Sequence, residues 1–275
     1  MVRPRKRFAQ HWLRSETVLD AIVNAAGLRE GDRLLEVGPG TGSLTQRLLP
    51  KVAAVVGVEI DTVLCGQLPK RFPVENLLVI EGDILDLDLG AALADHPRFQ
   101  APNKVVANIP YNITGPLLEY LIGAIAQPVT PAYERIVLLV QREIADRLCA
   151  VPGSKAFGVL SVRMQYLAET KLICTVPPQA FKPPPKVESA VVCLTPRPPI
   201  QPAQQPEHLA MLIKQAFSSK RKMLRNNIKA LIDPEALTPL LTQLGINPDA
   251  RPEAIAVAQW VALSDALVAM GSGKL

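Results

Sequence analysis

From residue 33 to about 140 the chain alternates short runs of valine, leucine and isoleucine with longer amphipathic stretches, and few folds accommodate that alternation. A strand covered on both faces reads as an unbroken apolar run, and parallel neighbours need a crossover long enough to hold a helix. The pattern predicts an α/β fold built on a doubly wound, mostly parallel sheet. The expected strands are Arg33 to Val37, Ala54 to Glu59, Leu77 to Ile80, Lys104 to Ala107 and Arg135 to Val140. Ser43 to Leu49, Thr62 to Arg71 and Thr114 to Ile125 read as helices between them, and Lys171 to Cys174 with Ala190 to Leu194 complete the sheet.

Prolines then interrupt the pattern. Pro177, Pro178, Pro183, Pro184 and Pro185 precede the last strand, and Pro196, Pro198, Pro199, Pro202 and Pro206 follow it, a density that no helix tolerates. The boundary this predicts divides the chain into residues 1–200, a sheet domain with an N-terminal arm, and residues 201–275, a small helical domain. In the latter, Leu209, Leu212, Ile213, Ala216 and Phe217 share one helical face, Pro234 and Gly245 bracket a second helix, and Ile255 to Met270 forms a third apolar stretch.

Chemistry concentrates at the expected strand ends. Leu34-Leu35-Glu36-Val37 runs into Gly38-Pro39-Gly40-Thr41-Gly42-Ser43, a glycine turn between strand and helix that lets a ligand approach bare backbone. Its Gly-x-Gly-x-Gly spacing departs from the dinucleotide fingerprint and suits an adenosyl ligand without a pyrophosphate. Glu59 ends the second strand, where a carboxylate can accept from both ribose hydroxyls, and Asp83 follows the third, placed to accept from an adenine amino group. Either acid alone reads more simply as a cap or turn residue; three such features at successive strand ends point to an adenosyl site. Asn108-Ile109-Pro110-Tyr111 caps the fourth strand and sets an amide, a backbone carbonyl and a flat ring together, the means to grip an exocyclic amine on a planar base. That tetrapeptide alone would pass for a turn.

Other chemistries are disfavoured. Cys65, Cys149, Cys174 and Cys193 are scattered singly, as are His11, His96 and His208, so no metal site is expected. No apolar run reaches the roughly 20 residues a bilayer requires, and the basic start Arg3, Arg5, Lys6, Arg7 leads into Phe8-Ala9-Gln10-His11 instead of a signal sequence, which makes the cytoplasm the expected location. A formal charge of +5 permits a polyanionic partner. Lys220, Arg221, Lys222, Arg225 and Lys229 cluster beside Asn226 and Asn227, and the stretch Leu209 to Ile232 carries no acid, which favours a phosphate-facing surface over a solvated helical face.

In this order the motifs resemble those of ribosomal RNA adenine N6 dimethyltransferases, nearer the small-subunit branch (the KsgA/RsmA family) than the macrolide-resistance branch. The resemblance extends through Lys6 to Leu13, the glycine turn, Glu59, Asp83, Asn108 to Tyr111, Gln141-Arg142-Glu143, Phe181 to Val187 and Arg221 to Asn227. It departs at His11 and Trp12, where Asn and Phe are common, and at Ile109, where Leu is common. The resemblance implies a Rossmann-like class I methyltransferase sheet and S-adenosylmethionine as methyl donor, contacted by His11, Leu13, Gly38, Glu59, Asp83 and Asn108, with Gly40 in the same turn. It implies Asn108 and Ile109 as acceptors for the adenine amine, and Tyr111 and Phe181 as aromatics on either face of the base. It also implies RNA contacts at Lys220, Arg221, Lys222 and Arg225. The expected substrate is two adjacent adenosines near the 3′ end of 16S RNA, each dimethylated, in an immature 30S subunit, with the enzyme acting as a monomer. Two rivals remain at this stage: an assembly or transcription factor on a retired scaffold, and a large-subunit methyltransferase.

Overall fold

The computed structural model describes residues 11–219 and 222–271. In chain order the elements are β1 (Trp12–Leu13), α1 (Glu16–Ala26), β2 (Arg33–Val37), α2 (Thr45–Leu48), β3 (Ala54–Glu59), α3 (Thr62–Arg71), β4 (Leu77–Glu81), α4 (Leu89–Ala92), β5 (Lys104–Asn108), α5 (Thr114–Ile122) and β6 (Arg135–Gln141). There follow α6 (Arg142–Leu148), α7 (Val159–Leu167), β7 (Ala168–Val176), β8 (Phe181–Lys182), β9 (Ser189–Pro196), α8 (Pro206–Ala216), α9 (Leu224–Asn227), α10 (Pro234–Gln243) and α11 (Val257–Ala269).

Seven strands form one sheet in the order β4-β3-β2-β5-β6-β9-β7. β4, β3, β2, β5 and β6 run parallel, and β9 enters antiparallel beside β6 with Val137 opposite Cys193. The central strands carry Leu34, Leu35, Val55, Val56, Val105, Val106 and Ile136 to Val140, all removed from solvent, as a sheet sandwiched by helices requires. A separate two-stranded ribbon pairs β1 with β8, setting Leu13 opposite Phe181.

α1 is not among the helices that the sequence pattern predicts. Ser15 caps its start by accepting from the Val18 N–H, and Gly27 ends it in the left-handed conformation (φ 53°). Its apolar face, Val18, Leu19, Ile22, Val23 and Ala26, packs into the core with Leu34, Val106 and Val137, each large side chain contributing about 1.5–3 kcal/mol. Beneath, Lys104 donates to the Gly27 carbonyl (2.8 Å) and pairs with Asp32 (2.6 Å), both groups buried. Burial pushes the Asp32 carboxyl up, but hydrogen bonds from Lys104, Asn103 and the Arg29 N–H, with the Lys104 charge, outweigh it and hold it below its usual value.

The chain divides into two compact units. The first comprises the sheet and its helices up to Pro196, without residues 124–128 and 146–169. Those two segments belong instead with residues 197–275, so the division is not the single cut near residue 200 that proline density suggested. Within the second unit α7 is stitched to the tail: Arg197 donates from its backbone to Leu167, and the Tyr166 hydroxyl accepts from the Ala203 N–H. α8 packs on α11, with Phe217 against the buried Trp260 (5.8 Å between centroids) and His208 bonded to Ser264 (2.8 Å).

Candidate functional site

In an open sheet, ligands bind beyond the carboxyl ends of the strands where the strand order reverses, here between β2 and β5. A cavity of about 260 Å³ opens there. Gly38, Gly40, Glu59, Asp83, Asn108, Ile109 and Tyr111 converge on it from four strand ends, and His11 and Leu13 reach it from the N-terminal ribbon.

The glycine turn is built for close approach. Gly38, Gly40 and Gly42 take φ of 67°, 60° and 81°, a region costly to residues with a Cβ. A Cβ at Gly40 would lie 3.4 Å from the Trp12 indole, and one at Gly42 would press into the Phe72 ring. The turn is latched by Glu59, whose carboxylate accepts from the Gly40 N–H (2.9 Å) and the Asp61 N–H (3.0 Å). Burial pushes the Glu59 carboxyl up against these bonds. Each oxygen keeps a lone pair for a further donor. Asp83 accepts from Leu85 N–H through one oxygen (3.0 Å), which leaves its other oxygen available on the cavity wall.

Glu36, which the sequence reading did not single out, also lines the cavity. It is 1 % exposed and accepts from the Thr45 hydroxyl (2.7 Å); burial, with a lesser contribution from Glu59, pushes its carboxyl up to about 8. A signal was present, since an acid inside Leu34-Leu35-Glu36-Val37 breaks an otherwise apolar run.

On the opposite wall, the Asn108 side-chain nitrogen donates to the His11 carbonyl (3.1 Å). A carbonyl can only accept, so the amide nitrogen is committed to it and the Asn108 oxygen is left as a free-standing acceptor. The turn after β5 begins with Ile113 N–H bonding to the Pro110 carbonyl (3.3 Å), one residue past Ile109, so the Ile109 carbonyl stands outside that turn's ladder. His11 donates from Nδ1 to the Pro183 carbonyl (2.8 Å), and its ring stacks on Tyr111 at 5.9 Å and 20°. Burial raises the Tyr111 phenol above its usual range, which removes it further from service as a base.

Two expected site residues are otherwise engaged. Phe181 is not among the residues lining the cavity; it pairs with Leu13 in the ribbon, is 4 % exposed and packs in the core. Arg225 is not unneutralised, because the chain folds Asp249 onto it (2.9 Å), an acid remote in sequence from the basic run. Lys222 and Lys229 are exposed, while Asn227 is buried and structural, donating to the carbonyls of Ala216 (2.5 Å), the last residue of α8, and Ser219 (3.1 Å) beyond it. Lys220 and Arg221 lie outside the described residues, as do Arg3, Arg5, Lys6, Arg7 and Gln10 of the arm. No group of three or more His, Cys, Asp or Glu among the described residues could hold a metal.

This sheet order, with an antiparallel strand inserted beside the last parallel one and a crevice at the switch point, defines a Rossmann-like class I methyltransferase. The family model described as ribosomal RNA adenine dimethylase matches residues 1–268. The chain belongs to that family. It is 58 % identical over 260 residues to ribosomal RNA small subunit methyltransferase A of Synechococcus elongatus, covering 94 % of this chain and 93 % of the relative. It is 56 % identical over 267 residues to the protein of the same name from a Picosynechococcus species, covering 97 % and 98 %. Among solved structures it resembles a dimethyladenosine transferase from Plasmodium falciparum, with a TM-score of 0.75 and 27 % identity over 92 % of this chain and 96 % of that one. The 23S rRNA methyltransferase ErmE, at 0.73 and 24 %, covering 94 % and 99 %, shares the fold.

Proposed function

We propose that this protein transfers methyl groups from S-adenosylmethionine to N6 of adenosines in small-subunit ribosomal RNA, dimethylating two adjacent adenosines near the 3′ end. The observation that carries this reading is the committed orientation of Asn108, which leaves an oxygen acceptor at the strand tip beside the Ile109 carbonyl. The names borne by relatives at 56 % and 58 % identity support the small-subunit substrate over the large-subunit one.

The residues present fit the donor. The glycine turn offers bare backbone to a methionyl group, Glu59 offers acceptors to a ribose, and Asp83 offers one to an adenine amine. When bound, S-adenosylmethionine supplies a methyl group on a sulfonium, which departs as a neutral thioether as nitrogen takes the carbon. The remaining difficulty is the amine, whose lone pair is delocalised into the purine ring. Accepting its two hydrogens at Asn108 Oδ1 and the Ile109 carbonyl favours a pyramidal, nucleophilic nitrogen and stabilises the charge that develops on it. The face of Tyr111 supplies a stacking platform worth about 1–3 kcal/mol. A base must be unstacked to enter, which favours adenosines in a loop or at a helix end.

RNA is held in part by the basic run Lys220, Arg221, Lys222 and Arg225 of the second unit, through phosphate contacts that position without reading sequence. The working form is a monomer in the cytoplasm acting on the immature 30S subunit. No helix among the described residues is long and apolar enough to cross a membrane.

Asn108→Ala is expected to abolish methyl incorporation into unmodified small subunits while calorimetry still registers donor binding. Full activity in that variant refutes the role given to Asn108; failure of the unaltered protein to bind S-adenosylmethionine would favour an assembly or transcription factor on this scaffold.

A further inference from the structure

Ser189 opens β9, is fully buried, and lies opposite Gln141 in the antiparallel pairing of β9 with β6. It is not among the residues lining the crevice, yet its hydroxyl meets the Tyr111 hydroxyl at 2.5 Å, across 78 residues of sequence. We propose that Ser189 is a positioning residue for the methyl transfer: by holding the Tyr111 hydroxyl it fixes the direction of the ring axis, and so the place of the ring against which the target base stacks. The inference rests on the reading of Tyr111 as a stacking platform.

Three anchors converge on this tyrosine. Thr114 Oγ1 donates to its carbonyl (3.0 Å) and holds the backbone. The His11 ring lies against its face. These hold the backbone and the ring plane; the bond to Ser189 holds the hydroxyl end. A phenylalanine at position 111 would stack equally well, so the hydroxyl serves orientation instead of contact area. Ser189 is a sound anchor because β9 is bonded along its length to β6, from Ile136 opposite Leu194 to Gln141 opposite Ser189. The same β6 pairs with β5, placing Asn108 beside Leu139. Acceptor and stacking platform are thereby registered to one strand, and a shift of either relative to the other would misplace the amine. Ser189 is buried and Tyr111 half-buried, so deleting either hydroxyl leaves the other without this partner and lets the ring axis swing.

The test is a double-mutant cycle on methylation of unmodified small subunits, with steady-state kinetics, donor affinity by calorimetry and melting temperature measured for each protein. Ser189→Ala and Tyr111→Phe are each expected to lower kcat/KM for the RNA substrate about tenfold, well inside the loss of about 100-fold that a misplacement of about 1 Å can cause. Donor affinity stays within about twofold in both, because neither hydroxyl reaches the donor residues. In the Tyr111→Phe background, Ser189→Ala is expected to cost nothing further, since its one means of action is gone. If Ser189→Ala destabilises the fold, Tyr111→Phe, which deletes the other half of the pair, carries the same expectation. Equal losses from Ser189→Ala in both backgrounds, or a parallel fall in donor affinity, or unchanged kinetics in both single variants, would overturn the proposal. A wild-type protein that methylates no adenosine would instead sink the functional reading beneath it.

Discussion

Glu36→Gln isolates the cost of keeping an acid inside the central strand. The carboxyl has an ordinary value of 4.5 and stands at about 8 in the folded protein because burial disfavours its charged form. Below 4.5 both folded and unfolded chains hold the proton. Between 4.5 and about 8 the unfolded chain has released it and the folded chain has not, so stability falls as pH rises, by about 1.4 kcal/mol per pH unit. Glu36 therefore contributes fully below 4.5, and that contribution is gone once pH passes about 8. Over the roughly 3.5 pH units between, the loss totals about 5 kcal/mol, comparable with the whole stability of a modest domain. Glutamine keeps the shape and the acceptor for Thr45 but does not titrate. Urea unfolding of both proteins from pH 5 to 9 is expected to show the difference in stability, variant minus wild type, growing steadily in the variant's favour up to about pH 8 and levelling beyond. Glu59, pushed in the same direction, is present in both proteins and largely cancels. A difference that does not change with pH would refute the assignment of a neutral buried carboxyl at position 36.

Two other perturbations address the framework and the RNA surface. Lys104→Met leaves the Asp32 carboxylate buried without its ion pair and is expected to destabilise the protein by about 3–5 kcal/mol at pH 7. Since Lys104 helps hold that carboxyl low, the penalty shrinks as acid protonates Asp32; a chemical-denaturation penalty equally large at pH 3 and pH 7 would contradict this account. Asp249→Asn releases Arg225 and is expected to strengthen RNA binding and steepen its salt dependence by up to about one unit of slope, with Arg225→Gln doing the reverse. Salt slopes equal to wild type in both variants would show that Arg225 faces no phosphate.

The sheet was legible because its strands are buried on both faces and so read as plain apolar runs; β2, β3 and β5 begin where Arg33, Ala54 and Lys104 led the pattern to expect. Strand ends carry glycine, Glu59, Asp83 and Asn108, and a common sheet direction suffices to bring such residues to one crevice. What escaped depended on pairing between distant segments. Nothing local marks residues 146–169 as companions of the tail, since α7 is joined to it by Arg197 and Ala203. Asp249 reaches Arg225, and Phe181 turns inward, through contacts that no window of sequence displays. The bond from Ser189 to Tyr111 is of the same kind, while Glu36 was visible as an acid in an apolar strand and was passed over.

The β1–β8 ribbon has a consequence for biosynthesis. His11, at the mouth of the crevice, bonds both to Asn108 and to Pro183, so one wall of the crevice joins the segment before β1 to a loop synthesised 172 residues later. A nascent chain halted after β6 would own every strand tip of the crevice and still lack the clasp that closes it. The emerging polypeptide therefore cannot complete the crevice until the ribosome has translated the proline-rich loop.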